Sequence, residues 1–279
     1  MNNREKLNKE DFKALREFIY KQSGMFFSDA KLYFIENRVS KRLEALNCPS
    51  YKLYVRHIQN PANKKELLTL LDRVTTNETS FYRNPPQIDA FKNTILPKLV
   101  TAAKAAGRSQ LKIWSSACSS GEEPLTLAMV IKEKQHLLRG LNVRIYASDI
   151  SSDILEKAKK GIYSEYSMRN LPELYKKKWF KMRGGSYEIE RELKSMIHYE
   201  RFNLVDYPGY YKYKGMDAIF CRNVLIYFDL AVKRSIIESF HKSINKNGYL
   251  IIGHAESLHN ISKDFKIEHF SRAIGYLKA

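Results

Sequence analysis

The chain has 279 residues, 44% of them apolar, enough for a sizeable core built as one large domain or as a small domain beside a larger one. It has no apolar run long enough for a membrane span, no apolar signal-peptide core in its N-terminal stretch MNNREKLNKEDFK, and no CxxC pair among its three cysteines, Cys48, Cys118 and Cys221. A disulfide scaffold, a structural metal and secretion are therefore not expected and the reducing cytoplasm is, while a net charge of +18 calls for an anionic partner: nucleic acid, membrane surface or acidic protein.

Residues 1–75 read as helices only. Phe12, Leu15, Phe18 and Ile19 fall on one helical face, and Gly24 fits a C-terminal cap. Ser28 is positioned to cap a second helix with Leu32, Ile35, Val39, Leu43 and Leu46 inward; Ser50 and Asn63 start two shorter ones. The opposite face of the second helix carries Lys31, Arg38, Lys41 and Arg42, which is either a solvated surface or a docking face for an acidic partner helix. The segment TTNETSFYRNP (Thr75–Pro85) follows at the junction, dense in hydrogen-bonding side chains and more aromatic than an inert linker; residues 76–85 are expected to contribute to a site.

From residue 86 to 279 short apolar strands alternate with helices, the pattern of an α/β protein with a mostly parallel sheet covered on both sides. The expected strands are Leu111–Ser115, Arg144–Ser148, Ala218–Cys221 and Tyr249–Gly253; the expected helices are Pro124–Leu138, Ser152–Lys160 and Leu230–Ile244. Trp179–Arg183 and Tyr187–Ile189 flank Gly184-Gly185-Ser186 as a hairpin, and Ile197–Phe202 forms a further strand. Residues from about 160 to 205 are taken as an insertion, part helical and part small antiparallel sheet, and Ile267–Phe270 with Ala273–Leu277 as an edge hairpin.

The turn after the first strand, WSSACSSGEEP, lacks both the GxGxxG and the GxxxxGK[ST] pattern, which disfavours a P-loop enzyme. Its small residues let a ligand approach the backbone. Glu123 at its end suits an ammonium or a sulfonium-bearing amino acid rather than a phosphate. Asp149, at the end of the next strand, suits a ribose diol, since a carboxylate accepts two hydrogen bonds; the same residue type also caps helices. Arg222 and Asn223 sit at the carboxyl end of a buried strand, where they either face a ligand or pair locally, and Cys118 reads as a small buried space-filler.

Taken together, TTNETSFYRNP, WSSACSSGEEPLTLAM, ASDISSDILEKAKKGIY, FNL, IFCRNVLIYFD and GYLIIGHAESL occur in an order that resembles the CheR family of chemotaxis receptor methyltransferases, over nearly the whole chain. The resemblance implies a small N-terminal helical bundle, then a Rossmann-like methyltransferase sheet carrying a small inserted antiparallel β-subdomain. It implies S-adenosyl-L-methionine as methyl donor, S-adenosyl-L-homocysteine as product, and methyl esters formed on glutamates of the cytoplasmic signalling helices of chemotaxis receptors. Carried over by motif, Asn77, Thr79, Arg83, Glu123, Asp149, Asn203, Leu204, Arg222 and Asn223 hold the donor, and Arg83 and Tyr227 act near the reacting groups. Arg38, Lys41 and Arg42, with the cluster Lys176, Lys177, Lys178 and Lys181, become candidate docking charges for acidic receptor helices. The hairpin at Gly184-Gly185 provides the architecture for gripping a receptor C-terminal peptide by strand addition. A cytoplasmic monomer recruited to receptor arrays is the expectation, with no nucleic acid bound and no membrane insertion.

Two other readings share this fold. A nucleic-acid methyltransferase would suit the charge, but motifs such as NPPY or PCQ are missing; Asn84-Pro85-Pro86 is followed by Gln87 and precedes the first strand. A non-catalytic S-adenosylmethionine sensor would not need Arg83 and Tyr227.

Overall fold

The structure is a computed structural model and describes residues 6–279; the first five residues of the N-terminal stretch lie outside the described residues. Four helices open the chain: α1 (Lys9–Ser23), α2 (Leu32–Ala45), α3 (Tyr51–Gln59) and α4 (Lys64–Val74). Their ends follow the sequence. The Asn8 side chain accepts the Asp11 amide, Ser50 accepts the Leu53 amide, and Gly24 closes α1 at φ 73°, a left-handed conformation that glycine adopts without penalty. Leu15, Ile19, Ile35, Val39 and Leu70 are fully buried between these helices. Two expectations shift here. Ser28 precedes a 3-10 turn (Asp29–Lys31) and makes no side-chain cap, and Leu46 lies past the end of α2, exposed to solvent.

The larger part begins with α5 (Pro85–Ala90), which runs through a π-helical turn (Phe91–Ile95) into α6 (Leu96–Ala105); the sequence reading assigns no element to this rod. Then come β1 (Gln110–Ser116), α7 (Glu122–Glu133), β2 (Asn142–Asp149) and α8 (Ser152–Lys160). The helix expected to reach Leu138 stops at Glu133, and a 3-10 turn (Gln135–Leu138) covers the remainder. The insertion contains β3 (Ile162–Tyr163), α9 (Glu165–Met168), α10 (Glu173–Trp179), β4 (Phe180–Arg183), β5 (Ser186–Ile189) and α11 (Arg191–Lys194). The chain ends with β6 (Ile197–Arg201), β7 (Met216–Cys221), α12 (Leu230–Ser243), β8 (Ile244–Ile252), β9 (Lys266–Phe270) and β10 (Ala273–Leu277).

The seven-stranded sheet has the order β6-β2-β1-β7-β8-β10-β9, parallel except for the terminal hairpin, whose β10 runs antiparallel to β8. A separate three-stranded antiparallel sheet has the order β3-β5-β4, turning at Gly184 and Gly185, both with positive φ. Ile197–Arg201 pairs in parallel with β2 and so belongs to the main sheet, not to the insertion in which the sequence reading places it. Consecutive residues of the central strands point to opposite faces: Leu250 and Ile252 join the core shared with α1–α4 and α12, while Tyr249 and Ile251 join the core under α6 and α7. Trp114 anchors the first of these cores. Its ring stacks on Tyr213 at 3.8 Å and its Nε1 donates to Ser148 Oγ at 2.8 Å. The helical bundle therefore shares one continuous core with a sheet face, which fixes it over the carboxyl end of the strands.

Arg42 departs from its expected role. Its Nε and one terminal nitrogen reach the two Glu66 oxygens at 2.9 and 2.6 Å, and Tyr54 donates its hydroxyl to the same carboxylate at 2.8 Å. Glu66 is only 8% exposed, so Arg42 is spent on satisfying a buried charge and is not a docking residue; Lys31, Arg38 and Lys41 stay exposed. Arg42→Ala leaves that carboxylate uncompensated and is expected to cost about 3 kcal/mol. Thermal unfolding should show the melting temperature falling by roughly 5 °C or more. Lys41→Ala should stay within about 0.5 kcal/mol of the parent; equal effects for the two variants would reject the buried pair.

Candidate active site

In an open parallel sheet, ligands bind where the strand order reverses. Here β1 runs on to β2 and β6 on one side, and β7 and β8 lie on the other, so the switch falls between β1 and β7. A cavity of about 230 Å³ opens there. Its floor is the turn after β1 with Asp149 and Ile150, one wall is Phe202–Leu204, a second is Arg222–Val224 with Ile226–Phe228, and Ser23, Met25, Thr75–Ser80 and Arg83 form the roof. Every residue that the motifs assign to the donor or to the reacting groups lines this cavity: Asn77, Thr79, Arg83, Glu123, Asp149, Asn203, Leu204, Arg222, Asn223 and Tyr227. Arg38 and Lys41 do not. Arg38 borders an adjoining groove that shares Thr75, Thr76 and Asn77 with the cavity, its guanidinium over the Phe34 ring.

The floor is backbone under strain. Ala117 and Ser119 both have φ above zero, at 65° and 49°, and Gly121 reaches 95°. Left-handed non-glycine residues cost on the order of 1 kcal/mol each and persist where their surroundings over-determine them. What holds this turn is Asp149: one carboxylate oxygen accepts the Ser119 amide at 2.9 Å and the other the Ser151 amide at 3.0 Å. Each oxygen retains a lone pair that can accept from a diol. Burial pushes the Asp149 carboxyl up to about 6, against the lowering effect of the two amides, and the Asp72 carboxylate adds to the rise. The two adjacent acids of the turn divide their work. Glu123 faces the cavity, taking a hydrogen bond from Ser115 Oγ at 2.7 Å. Glu122 points away into protein, where Ser120 and Ser167 donate to it, and so ties the turn to the insertion.

Arg222 is buried in the wall. Its Nε donates to Gln87 Oε1 at 2.9 Å, one terminal nitrogen reaches Glu123 at 3.2 Å, and the other reaches the Arg83 carbonyl at 2.5 Å. All three of its nitrogens thus have protein acceptors, and its work is to fix the turn, the junction segment and α5 together. Asn203 is similarly engaged: its Nδ2 donates to the Gln22 carbonyl at 2.8 Å and its Oδ1 accepts the Val205 amide. Leu204 supplies an apolar wall beside Phe202 and Ile150. Arg83 donates to the Glu78 carbonyl at 2.9 Å, and the Tyr227 hydroxyl points at the Thr76 carbonyl from 3.4 Å. Burial raises the Tyr227 phenol above its ordinary value, so at neutral pH it is a hydrogen-bond donor and not a base. Sequence reasoning does not single out Gln87, Ser115 or Glu256. Gln87 and Ser115 are legible only through the partners they hold, because an isolated Gln or Ser carries no spacing signal.

Acidic side chains beside an apolar slot could hold a cationic nucleoside, with Asp149 and Glu123 as the carboxylates and Phe202, Leu204 and Ile150 as the apolar lining. Such a cavity suits an S-adenosylmethionine-dependent methyltransferase, with a helical domain over it. Two family models divide the chain between them: the CheR methyltransferase all-alpha domain matches residues 10–75, and the CheR methyltransferase SAM binding domain matches residues 77–274. The chain belongs to the CheR methyltransferase family. It is 35% identical to chemotaxis protein methyltransferase 2 of Vibrio cholerae, over 96% of this chain and 92% of that one. The chemotaxis protein methyltransferase of Borreliella burgdorferi is 34% identical over 90% and 89% of the two chains. Chemotaxis protein methyltransferase 1 of Pseudomonas aeruginosa is also 34% identical, over 95% and 97%. S-adenosylmethionine is the methyl donor.

A diol that donates to Asp149 favours the ionised carboxylate, so donor binding should tighten as pH rises through about 6 and level off above it. Calorimetric titration of S-adenosylmethionine from about pH 5 to about pH 8 tests this. In Asp149→Asn the pH dependence should vanish and affinity should fall; a flat profile for the parent protein would place the ribose elsewhere.

Proposed function

We propose that this protein transfers the methyl group of S-adenosylmethionine to glutamate side chains on the cytoplasmic helices of chemotaxis receptors, giving methyl esters. One observation carries this reading. The groove bordered by exposed Arg38, with Arg73 and Lys157 beside Asp72 and Asp153, adjoins the donor cavity and shares Thr75, Thr76 and Asn77 with it, so an acidic helix lying along α2 would bring its carboxylates close to the cavity. The donor supplies an electrophilic methyl on a sulfonium. The acceptor carboxylate is already ionised at neutral pH, so the chain needs no strong base, in keeping with the raised phenol of Tyr227.

The protein's work is then placement and desolvation. A carboxylate oxygen bonds to the methyl carbon as the carbon–sulfur bond breaks and its electron pair returns to sulfur, so two opposite charges disappear together. A dry site favours such a charge-neutralising step, and in-line positioning lowers its entropic cost. Arg83, half-exposed at the mouth, is assigned to orient the incoming carboxylate or the donor's own. Tyr227, whose hydroxyl hangs over the junction segment, is assigned to orient the nucleophile or to contact the sulfonium. Too tight an Arg–carboxylate pair would oppose the loss of charge, so a half-exposed guanidinium is the suitable kind.

Labelled donor incubated with a receptor cytoplasmic fragment should label the receptor, and high pH should release the label as volatile methanol. Label stable to base, or found on added nucleic acid, would replace the ester reading. Arg83→Ala should lower turnover by about 100-fold; turnover near the parent's would remove Arg83 from the reaction. Docking is tested on the exposed charges alone: Arg38→Glu with Lys41→Glu should raise receptor KM by on the order of 10-fold at low salt with kcat unchanged. An unchanged KM would clear this face of α2. The second basic cluster is a weaker candidate, since Lys176 is paired with Glu165 and Lys181 with Glu190.

A further inference from the structure

The loop after β7 carries Asn223 and Tyr227, both lining the cavity, on a short excursion whose helical content is a single 3-10 turn (Leu225–Tyr227). Asn223 sits in the left-handed region at φ 60° and so needs an external hold. That hold comes from the carboxyl end of the neighbouring parallel strand, β8. Glu256, three residues beyond Gly253, turns its carboxylate back toward the sheet. Its Oε2 accepts the Asn223 amide at 2.9 Å and the Gly253 amide at 2.6 Å, and its Oε1 accepts the Ile226 amide at 3.2 Å. The approach is close enough to exclude a side chain at residue 253, where a Cβ would lie 2.6 Å from Glu256 Oε2 and 2.8 Å from the Asn223 nitrogen. Glu256 itself is not among the residues lining the cavity.

We propose that Glu256 is a positioning residue for methyl transfer: it gathers the amides of Asn223, Ile226 and Gly253 and thereby sets the place of Asn223 and Tyr227 at the reacting groups. Three converging N–H donors require an acceptor-only group with several lone pairs, which an ionised carboxylate provides. A glutamine of the same size has one acceptor oxygen and would turn its NH₂ on the remaining donors. The apolar anchors Val224 and Leu225 keep the loop's middle in the core, so loss of Glu256 should loosen the loop without releasing the strands beside it.

This inference rests on the assignment of Tyr227 to the transfer site, and its test has one arm that does not use activity. In the full chain, Glu256→Gln should speed amide hydrogen exchange at residues 223–228 while leaving β7 and β8 protected. It should lower kcat on a receptor fragment by on the order of 100-fold with receptor KM within about twofold. Adding Tyr227→Phe to Glu256→Gln should slow the enzyme little further, since both act through one group. Gly253→Ala, which pushes the carboxylate away, should reproduce the Glu256→Gln pattern. Unchanged exchange or unchanged kcat would overturn the proposal. So would exchange rising across β7 and β8 together with fully multiplicative losses in the double variant, the outcome of a general loss of stability. A parent protein that binds donor yet labels no receptor would sink the receptor reading alone, and the exchange arm would still decide whether Glu256 holds the loop.

Discussion

The site depends on one buried guanidinium. Arg222, at the end of β7, is almost wholly removed from water, and burial lowers its pKa, with Glu123 as the main opposing influence. Such a charge is tolerable only when it is paired and hydrogen-bonded, and each of the three guanidinium nitrogens has an acceptor here. The acceptors come from three separate segments: Gln87 in α5, Glu123 at the start of α7 and the backbone of Arg83 in the junction. Once Arg222 is satisfied, the relative places of these segments are set. Gln87 then extends the chain of contacts by donating to the Ile252 carbonyl at the end of β8. The wall that carries Arg222, the junction segment and the starts of α5 and α7 are therefore one hydrogen-bonded unit.

That unit explains how a turn poor in glycine can serve a nucleotide cofactor. A glycine-rich turn reaches left-handed backbone freely; this one drives Ala117 and Ser119 into it and holds them by the Asp149 carboxylate. The same carboxylate is the group assigned to the ribose, so the floor's shape and its affinity share one side chain. On the far wall Asn223 has the same backbone conformation and a carboxylate behind it, Glu256. Strain at two strand ends, each stabilised by an acid accepting backbone amides, is the local logic of this site.

The central strands and α8 were legible in the sequence because strands buried on both faces are continuous apolar runs, and because Ser151 and Gly161 bracket α8 with a cap and a stop. What the sequence withheld was pairing. Ile197–Arg201 reads as a strand from its composition, yet nothing local says that its partner is β2 instead of the hairpin that precedes it. Arg42 sits on the polar face of its helix and reads as a surface charge, because its partner Glu66 arrives from another helix. The donor-site residues emerged through whole motifs matched to a family; spacing alone could not tell Asp149 as ribose ligand from Asp149 as cap, and the structure has it bonding the Ser151 amide while facing the cavity. Glu256 lies inside the motif GYLIIGHAESL, but nothing local gives it a role, since its meaning lies in three amides that converge only in the fold.

The helical domain also builds the donor cavity. It supplies Ser23, Met25 and Thr75 to the cavity, receives the Asn203 amide at Gln22, and bridges Met25 to Phe228 beside Tyr227. Tyr20 reaches Asp229, the residue that caps α12. A load applied to α1 or α2 by a docked helix would thus fall directly on the loop that carries Tyr227 and on the wall that carries Asn203. Two separable domains joined by a free linker would bind donor and acceptor independently. Here the helical domain contributes part of the roof and the sheet the floor, so under the proposed docking on α2 the acceptor would bear on the same contacts that enclose the donor.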